Sequence, residues 1–260
     1  MDAGVNVSEQ SAVQIAEELQ PNTNIDVAND TVVELISAPT WATEEFHPYD
    51  QPEQETTSPL EYAFHLLNGV YGRTVIDLEC GAGLNTVILA KLGARVISID
   101  RSDLHIEMTA QRLREHGVSN RATLIRARGS SLPAPDGCAD RVLCHSILRQ
   151  PDPIVTARQI RRVLKPGGCA VFHELVDLRP RGASAAAIPK DYVRTLSRAV
   201  GVPGPRREFW LVTGLLRLAG VDPSSPIGRA SQRLDSALFR RFPFTKSLAT
   251  VMVWEARKEG

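Results

Sequence analysis

The chain has 260 residues, with 30 lysine and arginine residues balanced by 30 aspartate and glutamate residues. A general nucleic-acid-binding protein carries a basic excess, so the even balance argues against that class. Apolar residues make up 43% of the chain, which is enough for one sizeable α/β domain with additions.

The charged residues are unevenly distributed along the chain. Residues 1–60 contain twelve acidic residues and no lysine or arginine, so the other 200 residues carry 30 basic against 18 acidic side chains. The first segment is either a solvated acidic leader or a lid that folds back over a basic body, and the sequence leaves both readings open.

Cysteine usage and the apolar runs predict a cytoplasmic protein. None of the four cysteines belongs to a CxxC pair or lies at zinc-finger spacing from a histidine, so we expect free thiols and no metal site. The N-terminus lacks the pattern of a signal peptide. The longest apolar run, residues 210–221, contains Arg217 and is too short for stable membrane insertion. The four cysteines are Cys80, Cys138, Cys144 and Cys169.

The first structured element in chain order is a helix that starts at Ser58-Pro59 and stops at Asn68-Gly69. Short apolar runs then alternate with helical patterns. This alternation predicts βαβ units with right-handed crossovers and a mainly parallel sheet. The predicted strands are 74–78, 95–99, 122–125, 140–144 and 169–175, and the predicted helices are 86–92, 104–116 and 154–164.

The tail, residues 179–260, has fifteen basic against six acidic residues. Its apolar spacing predicts helices over 190–200, 207–219 and 228–242, followed by a last strand over 249–256. Apolar residues at this spacing are most often core.

A glycine-rich turn follows the first predicted strand, with the sequence Asp77-Leu78-Glu79-Cys80-Gly81-Ala82-Gly83. Glycines allow the backbone to come close to a ligand, because a Cβ would collide there. In an open parallel sheet, ligands bind beyond the carboxyl ends of the strands, where the strand order switches. The second strand ends in a carboxylate, Asp100.

These motifs resemble those of the class I S-adenosylmethionine (SAM)-dependent methyltransferases. Asp77, Gly81 and Gly83 match the family's first motif, and Asp100 matches its second. The stretches 131–140 and 160–168 resemble the family's later motifs. The resemblance covers roughly residues 70–178 and implies a Rossmann-like fold of the seven-stranded type with SAM as cofactor. The residues that it implies for the cofactor are Asp77, Glu79, Cys80, Gly81, Gly83, Asp100, Arg101, Gly129, Ser130 and His145.

The sequence departs from the family pattern at two positions. Glu79 stands where the first glycine of the loop is usual, and it either crowds the ligand, points away or binds the cofactor's ammonium group. Arg128 stands where an aspartate commonly accepts from adenine, which leaves adenine recognition to Gly129 and Ser130. The competing assignment, a NAD-binding turn, lacks its third glycine because Thr86 occupies that position.

Methyl transfer to oxygen or nitrogen needs a group that removes a proton at the carboxyl edge of the sheet. His145 directly follows the fourth predicted strand and is the first candidate, and His173 in the fifth is the second. His145 could instead be a polar lining residue without catalytic duty. His173 could point into packing through strand alternation, in which case Glu174 would face the ligand. An aromatic segment, residues 41–49 with His47, either closes over the acceptor or packs the leader onto the domain.

We therefore expect an acidic N-terminal extension or lid over residues 1–58, a SAM-binding core over 59–178, and a helical acceptor-pocket region over 179–260 whose final strand completes the sheet. The leading hypothesis is methyl transfer to a small organic acceptor such as a natural product, a lipid or a sugar. The alternatives are a non-methylating lyase, cyclase or pericyclic catalyst on the same fold, and a non-catalytic scaffold. The sequence leaves open whether the protein forms a homodimer. The tail's arginines fit an anionic acceptor, a membrane surface or the acidic leader.

Overall fold

The computed structural model describes residues 56–175, 190–223 and 225–260. The acidic leader up to residue 55 and the aromatic segment 41–49 lie outside these residues. The helices are α1 (Pro59–Leu67), α2 (Leu84–Lys91), α3 (Asp103–Glu115), α4 (Pro153–Val163), α5 (Lys190–Val200), α6 (Val212–Leu218) and α7 (Pro226–Arg241). The strands are β1 (Thr74–Leu78), β2 (Arg95–Asp100), β3 (Ala122–Arg126), β4 (Ala139–His145), β5 (Leu164–Leu175), β6 (Val202–Phe209) and β7 (Val251–Arg257).

The strands form one seven-stranded sheet in the order β3-β2-β1-β4-β5-β7-β6. Neighbours among β1 to β5 are parallel, whereas β7 is antiparallel to both β5 and β6. Strand β1 pairs with β2 on one side and β4 on the other, so the strand order reverses there. The predicted mainly parallel, seven-stranded Rossmann-like sheet is confirmed, and its switch point directs a ligand to the carboxyl ends of β1 and β4.

Two hydrophobic cores cover the two faces of the sheet. On one face, α1, α2 and α3 pack against residues such as Val75, Leu143, Val171 and Val253. On the other face, α4 and α5 pack against residues such as Val142 and Phe172 and against Trp254. We call these the α1 face and the α4 face. Helices on both faces bury the near-continuous apolar runs of the central strands, which explains why those strands lack alternation in the sequence.

The start and end of α1 follow the predicted local chemistry. Ser58 caps the helix by accepting a hydrogen bond from the amide of Glu61 at 3.3 Å, and Pro59 occupies the first turn. Asn68 ends the helix in the left-handed region at φ 48°. The prediction of a helix between Ser58-Pro59 and Asn68-Gly69 is confirmed.

One element of the tail differs from its prediction. The helix expected over 207–219 begins only at Val212, and residues Val202–Phe209 form edge strand β6. Pro203 and Pro205 lack amide protons and restrict their neighbours, while Arg207 pairs with Val253 of β7. Pairing with β7 therefore determines the secondary structure of this segment, although its apolar residues have helical spacing.

Among the described residues, no helix is long and apolar enough to cross a membrane.

Candidate active site

The turn after β1 is a compact loop with three left-handed residues. Glu79, Gly81 and Gly83 have φ values of 59°, 55° and 80°. A Cβ added at Gly83 would lie 2.6 Å from the hydroxyl oxygen of Thr109, so the loop packs tightly on α3 there. A Cβ added at Gly81 would meet no atom within 4 Å, so the loop is open on that side. The Gly83 side of the loop is therefore packed against α3, whereas the Gly81 side has room for a ligand.

Asp77 supports this loop from inside the protein. Its side chain is fully buried, and its Oδ2 accepts a 2.7 Å hydrogen bond from the Thr86 hydroxyl in the first turns of α2. Burial raises the pKa of Asp77 to about 7, with a smaller contribution from nearby Asp100 and opposition from the Thr86 hydrogen bond. In this geometry Asp77 fixes α2 against β1.

Asp100 connects the end of β2 to the glycine loop. Its Oδ2 accepts from the Gly81 amide at 3.0 Å and its Oδ1 from the Ser102 amide at 2.9 Å. His105 on α3 places its Nδ1 3.1 Å from Oδ1 of Asp100. Each carboxylate oxygen can accept more than one hydrogen bond, so Asp100 keeps capacity for a diol.

Glu79 adds a carboxylate to the glycine loop. The side chain is partly buried, and its Oε1 is buried without a hydrogen-bond partner among the described residues. Burial raises the pKa of Glu79 and Asp100 adds to the effect, while a hydrogen bond with Gln150 and the charges of Arg101 and His105 oppose it. An unpartnered buried carboxylate oxygen is costly, and a cationic ligand group would offset that cost.

Cys80 and Arg101 flank the loop in different environments. The Cys80 thiol is buried 3.7 Å from the Thr109 hydroxyl, and burial raises its pKa. This environment makes it an inert packing thiol. Arg101, just after Asp100, has an exposed side chain.

The predicted adenine region follows β3. A Cβ on Gly129 would lie 2.8 Å from Cγ2 of Thr156 and 3.3 Å from Oε1 of Gln150, so only glycine fits this approach. Gln150 thereby connects Gly129 to Glu79 across the site. Ser130 is partly buried, whereas the side chain of Arg128 is exposed.

The two candidate histidines are neighbours on the α1 face. His145 of β4 and His173 of β5 are register partners, and their ring centroids are 5.1 Å apart. Burial is the main cause that lowers their pKa values, to about 3 for His145 and about 4 for His173. Both imidazoles are therefore neutral at pH 7.

Asn85 is a site residue that sequence reasoning missed. Its Nδ2 lies 2.8 Å from Nε2 of His145, which links the first turn of α2 to the end of β4. The Oδ1 of Asn85 is buried without a partner among the described residues. The available signal was its position, two residues after Gly83 at the start of a helix.

Glu174 faces away from the histidines and has a positioning role. Its Oε2 accepts from the Leu148 amide at 3.1 Å, which anchors the loop after β4. Burial raises the pKa of Glu174 to about 7, while the Leu148 hydrogen bond and Arg149 oppose the shift. Strand alternation thus places His173, rather than Glu174, beside His145.

Comparison with known proteins agrees with this geometry. Residues 75–168 match the family model for a methyltransferase domain. A ubiquinone biosynthesis O-methyltransferase of Stutzerimonas stutzeri (strain A1501) is 29% identical over 175 residues, covering 66% of this chain and 73% of that protein. The protein of the same name from Pseudomonas paraeruginosa is 32% identical over 129 residues, covering 49% of this chain and 55% of that protein.

Solved structures share the fold at low sequence identity. The [4+2]-cyclase SpnF superposes with a TM-score of 0.57 at 19% identity, covering 81% of this chain and 85% of that chain. A putative sarcosine dimethylglycine methyltransferase from Galdieria sulphuraria gives a TM-score of 0.54 at 16% identity, covering 76% and 83%.

The sheet order, the glycine loop with Asp100 and the matched residues 75–168 agree with one another. Residues 75–168 carry a methyltransferase domain, and the chain is an enzyme that uses SAM to methylate a small-molecule acceptor.

Proposed function

We propose that the enzyme transfers the methyl group to a hydroxyl oxygen of a small organic acceptor. The observation that carries this proposal is the pair of neutral imidazoles of His145 and His173 near the carboxyl ends of neighbouring strands. A hydroxyl must lose its proton as it gains the methyl group, and a neutral imidazole can take that proton. The relatives whose names describe O-methyltransferases agree with an oxygen acceptor.

The residues around the loop suit SAM chemically. Glu79 offers an unpartnered carboxylate oxygen to the ammonium group of the methionine part. Asp100 retains lone pairs for the ribose hydroxyls, and Gly81 leaves open space beside the backbone. When bound, SAM supplies an electrophilic methyl group on a positively charged sulfur.

We assign the same residues to the cofactor as the sequence did, with Asp77 acting from behind the loop. Glu79, Cys80, Gly81 and Gly83 belong to the methionine end, and Asp100 with Arg101 to the ribose. Gly129 and Ser130 belong to the adenine end, and His145 lies towards the methyl group.

The chain's own residues then orient the acceptor and accept its proton. Asn85 fixes the ring of His145, and Glu174 anchors the loop that follows it. Burial keeps both imidazoles neutral at pH 7, so neither must lose a proton before it accepts one, and the same lowering of their pKa values makes them weaker bases. Because Nδ2 of Asn85 donates to Nε2 of His145, that ring carries its own proton on Nδ1, so the proton of the acceptor hydroxyl goes to the ring of His173 as the new carbon–oxygen bond forms.

The test is methyl transfer from methyl-labelled SAM to a panel of phenols and catechols, for the wild type and for H145N, H173N and the double variant. The variant that lacks the proton-accepting ring should lose kcat by on the order of 100-fold or more. His116 at the end of α3 supplies the matched control H116N, which should keep full activity.

Two results would contradict the proposal. Full activity in the double variant would remove the histidines from the reaction. Consumption of an acceptor with the demethylated cofactor in place of SAM would identify a non-methylating reaction on this fold.

We also propose a cytoplasmic enzyme that works as a homodimer on a natural product, lipid or sugar. Light scattering on the purified protein measures the dimer, and cell fractionation measures the location. A monomeric mass at micromolar concentration would remove the dimer from the proposal.

A further inference from the structure

A basic groove of about 740 Å³ lies beside the end of β6. It runs between the start of α1, the last residues of β6, helix α7 and the 3₁₀ turn Pro243–Leu248. Its cationic lining residues are Arg207, Arg233, Arg240 and Lys246, and Tyr62 and Phe239 give it aromatic walls. Sequence reasoning did not identify this groove, because its residues come from four separate elements.

The charge of the groove is strongly one-sided. Glu208 also lines it, but its Oε1 is bound by Arg206 at 2.6 Å. The exposed side chains of Arg233, Arg240 and Lys246 form no ion pair with any residue in the described part of the chain. Three or more like charges around one concave surface repel each other and attract an anion.

Helix α7 presents these charges in a regular arrangement. Arg233, Ser236 and Arg240 recur at spacings of three and four residues, which places them on one side of the helix. Arg207 enters from the opposite wall, with its guanidinium 5.5 Å from the ring centroid of Tyr62 and 4.9 Å from that of Phe209. These rings hold the guanidinium in place through cation–π contacts.

The sheet register connects the groove to the histidine pair. His145 pairs with His173, His173 pairs with Val253, and Val253 pairs with Arg207. Side chains in one such row point to the same face of a sheet, and Val253 belongs to the core of the α1 face. Neighbouring strands are about 4.8 Å apart, so the backbone of Arg207 lies about 10 Å from that of His173 and about 14 Å from that of His145 across the sheet. The fully buried Val253 lies between them, so a ligand that reaches both sites follows the carboxyl edge of the sheet.

We propose that the basic groove binds an anionic group, a carboxylate or a phosphate, at the far end of the acceptor. This inference rests on the proposed function, because it places the reacting hydroxyl of the same acceptor at His145 and His173. The acceptor is then an elongated molecule with roughly 10–14 Å between its hydroxyl and its anion, the span of two to three strand spacings. Tyr62 and Phe239 line the groove and would contact the apolar part next to the anion.

Chain-extended catechols test this proposal. We would use catechols with alkyl chains of two, five or eight carbons that end in a carboxylate, a phosphate or a methyl group. At the longer lengths, an anionic end should lower KM and Kd by about tenfold or more relative to the methyl end, because a charge-assisted hydrogen bond replaces an apolar contact. The carboxylate and phosphate series show which anion the groove prefers.

The variant R233Q/R240Q removes two charges from the groove and should abolish that anion preference, measured as the ratio of KM and Kd between the anionic and the methyl-ended catechols. The matched control R114Q/R158Q removes two exposed charges from α3 and α4 and should keep the preference. Both variants change only surface side chains, and a thermal melt checks their folding.

Binding of the eight-carbon probes by calorimetry separates this inference from the proposed function. If no catechol is methylated, the proposed reaction fails while anion binding is still measured. Equal affinity for anionic and methyl-ended probes, or a preference that survives in R233Q/R240Q, overturns the groove as an anion site. A preference that appears only after Asp50, Glu53 and Glu55 become amides also overturns it, in favour of the acidic N-terminal segment as the occupant.

Discussion

The cofactor half and the acceptor half of this enzyme are constructed differently. The cofactor half, from Glu79 to Asp100, comes from two consecutive strands and the loops that follow them, joined by the 3.0 Å bond between Gly81 and Asp100. The proposed acceptor half joins the histidine pair, Arg207 and α7, which lie far apart in sequence, and β7 connects the strand of His173 to the strand of Arg207. A local motif thus identifies the common part of the fold, and long-range pairing forms the part to which we assign acceptor binding.

The largest expected effect tests the rigidity of the cofactor half. The substitution G83A adds a Cβ 2.6 Å from the Thr109 hydroxyl oxygen and 2.8 Å from the Thr109 Cα, at φ 80°. We expect a loss of about 3 kcal/mol in the free energy of unfolding, from overpacking and left-handed strain together. Urea denaturation measures the loss.

Gly117 supplies the control for that substitution. It has φ 66° and no atom within 4 Å of an added Cβ, so G117A carries the backbone strain without the clash. We expect a loss of about 1 kcal/mol. Equal losses in G83A and G117A would show that the contact with Thr109 does not stabilise the loop.

A second prediction concerns the histidines that link the two halves. The folded pKa of His173, about 4, lies below its ordinary value of 6.5, so the unfolded state binds more protons between these pH values. The stability of the wild type relative to H173Q should therefore be constant above pH 6.5. It should fall by about 1–3 kcal/mol as the pH is lowered to about 4.

Denaturation curves between pH 4.5 and 7.5 measure this difference, and NMR titration of the ring of His173 reports its protonation directly. A pH-independent difference would mean that the imidazole is not desolvated. His173 would then be a solvated lining residue rather than part of a partly buried, proton-accepting pair.

The smallest expected effect tests Glu79, the residue in the cofactor half that departs from the family pattern. Its φ of 59° is strained for a residue with a Cβ, so E79G should raise the free energy of unfolding without ligand by up to about 1 kcal/mol. The same change removes a carboxylate from the loop, and we expect SAM to bind about tenfold more weakly by calorimetry.

The variant E79Q separates these two contributions, because it keeps the strained side chain and removes only the charge. It should weaken SAM binding as E79G does, without the gain in stability. Unchanged SAM affinity in both variants would show that Glu79 points away from the cofactor.

The sequence supports prediction of the cofactor half because its determinants are local. A buried strand, a glycine loop and a terminal aspartate lie within residues 75–100, and β1 pairs with β2 as the alternation predicts. The roles of the individual residues in binding SAM stay predictions until they are tested. Asn85 was missed because its partner, His145, follows 60 residues later in the chain.

The proposed acceptor half was harder to predict from the sequence because its contacts join segments that are far apart in the chain. The segment around Arg207 has helical spacing, yet it forms β6 because β7 offers it a strand edge to pair with. The groove combines Tyr62, Arg207 and Arg233, whose proximity depends on the complete sheet and on the packing of α7. The basic composition of the tail indicated an anionic partner, but composition does not show where the basic side chains lie relative to the histidines.

The position of β7 makes one end of the sheet depend on the last strand of the chain. Strand β7 lies between β5 and β6, although it follows both of them in the chain. Strand β6 is therefore joined to the sheet through β7, and the alignment of Arg207 with the histidines depends on both pairings of that strand. A change that weakens β7 should thus disturb the proposed anion site while the cofactor loop, which lies between β1 and α2, keeps its local contacts.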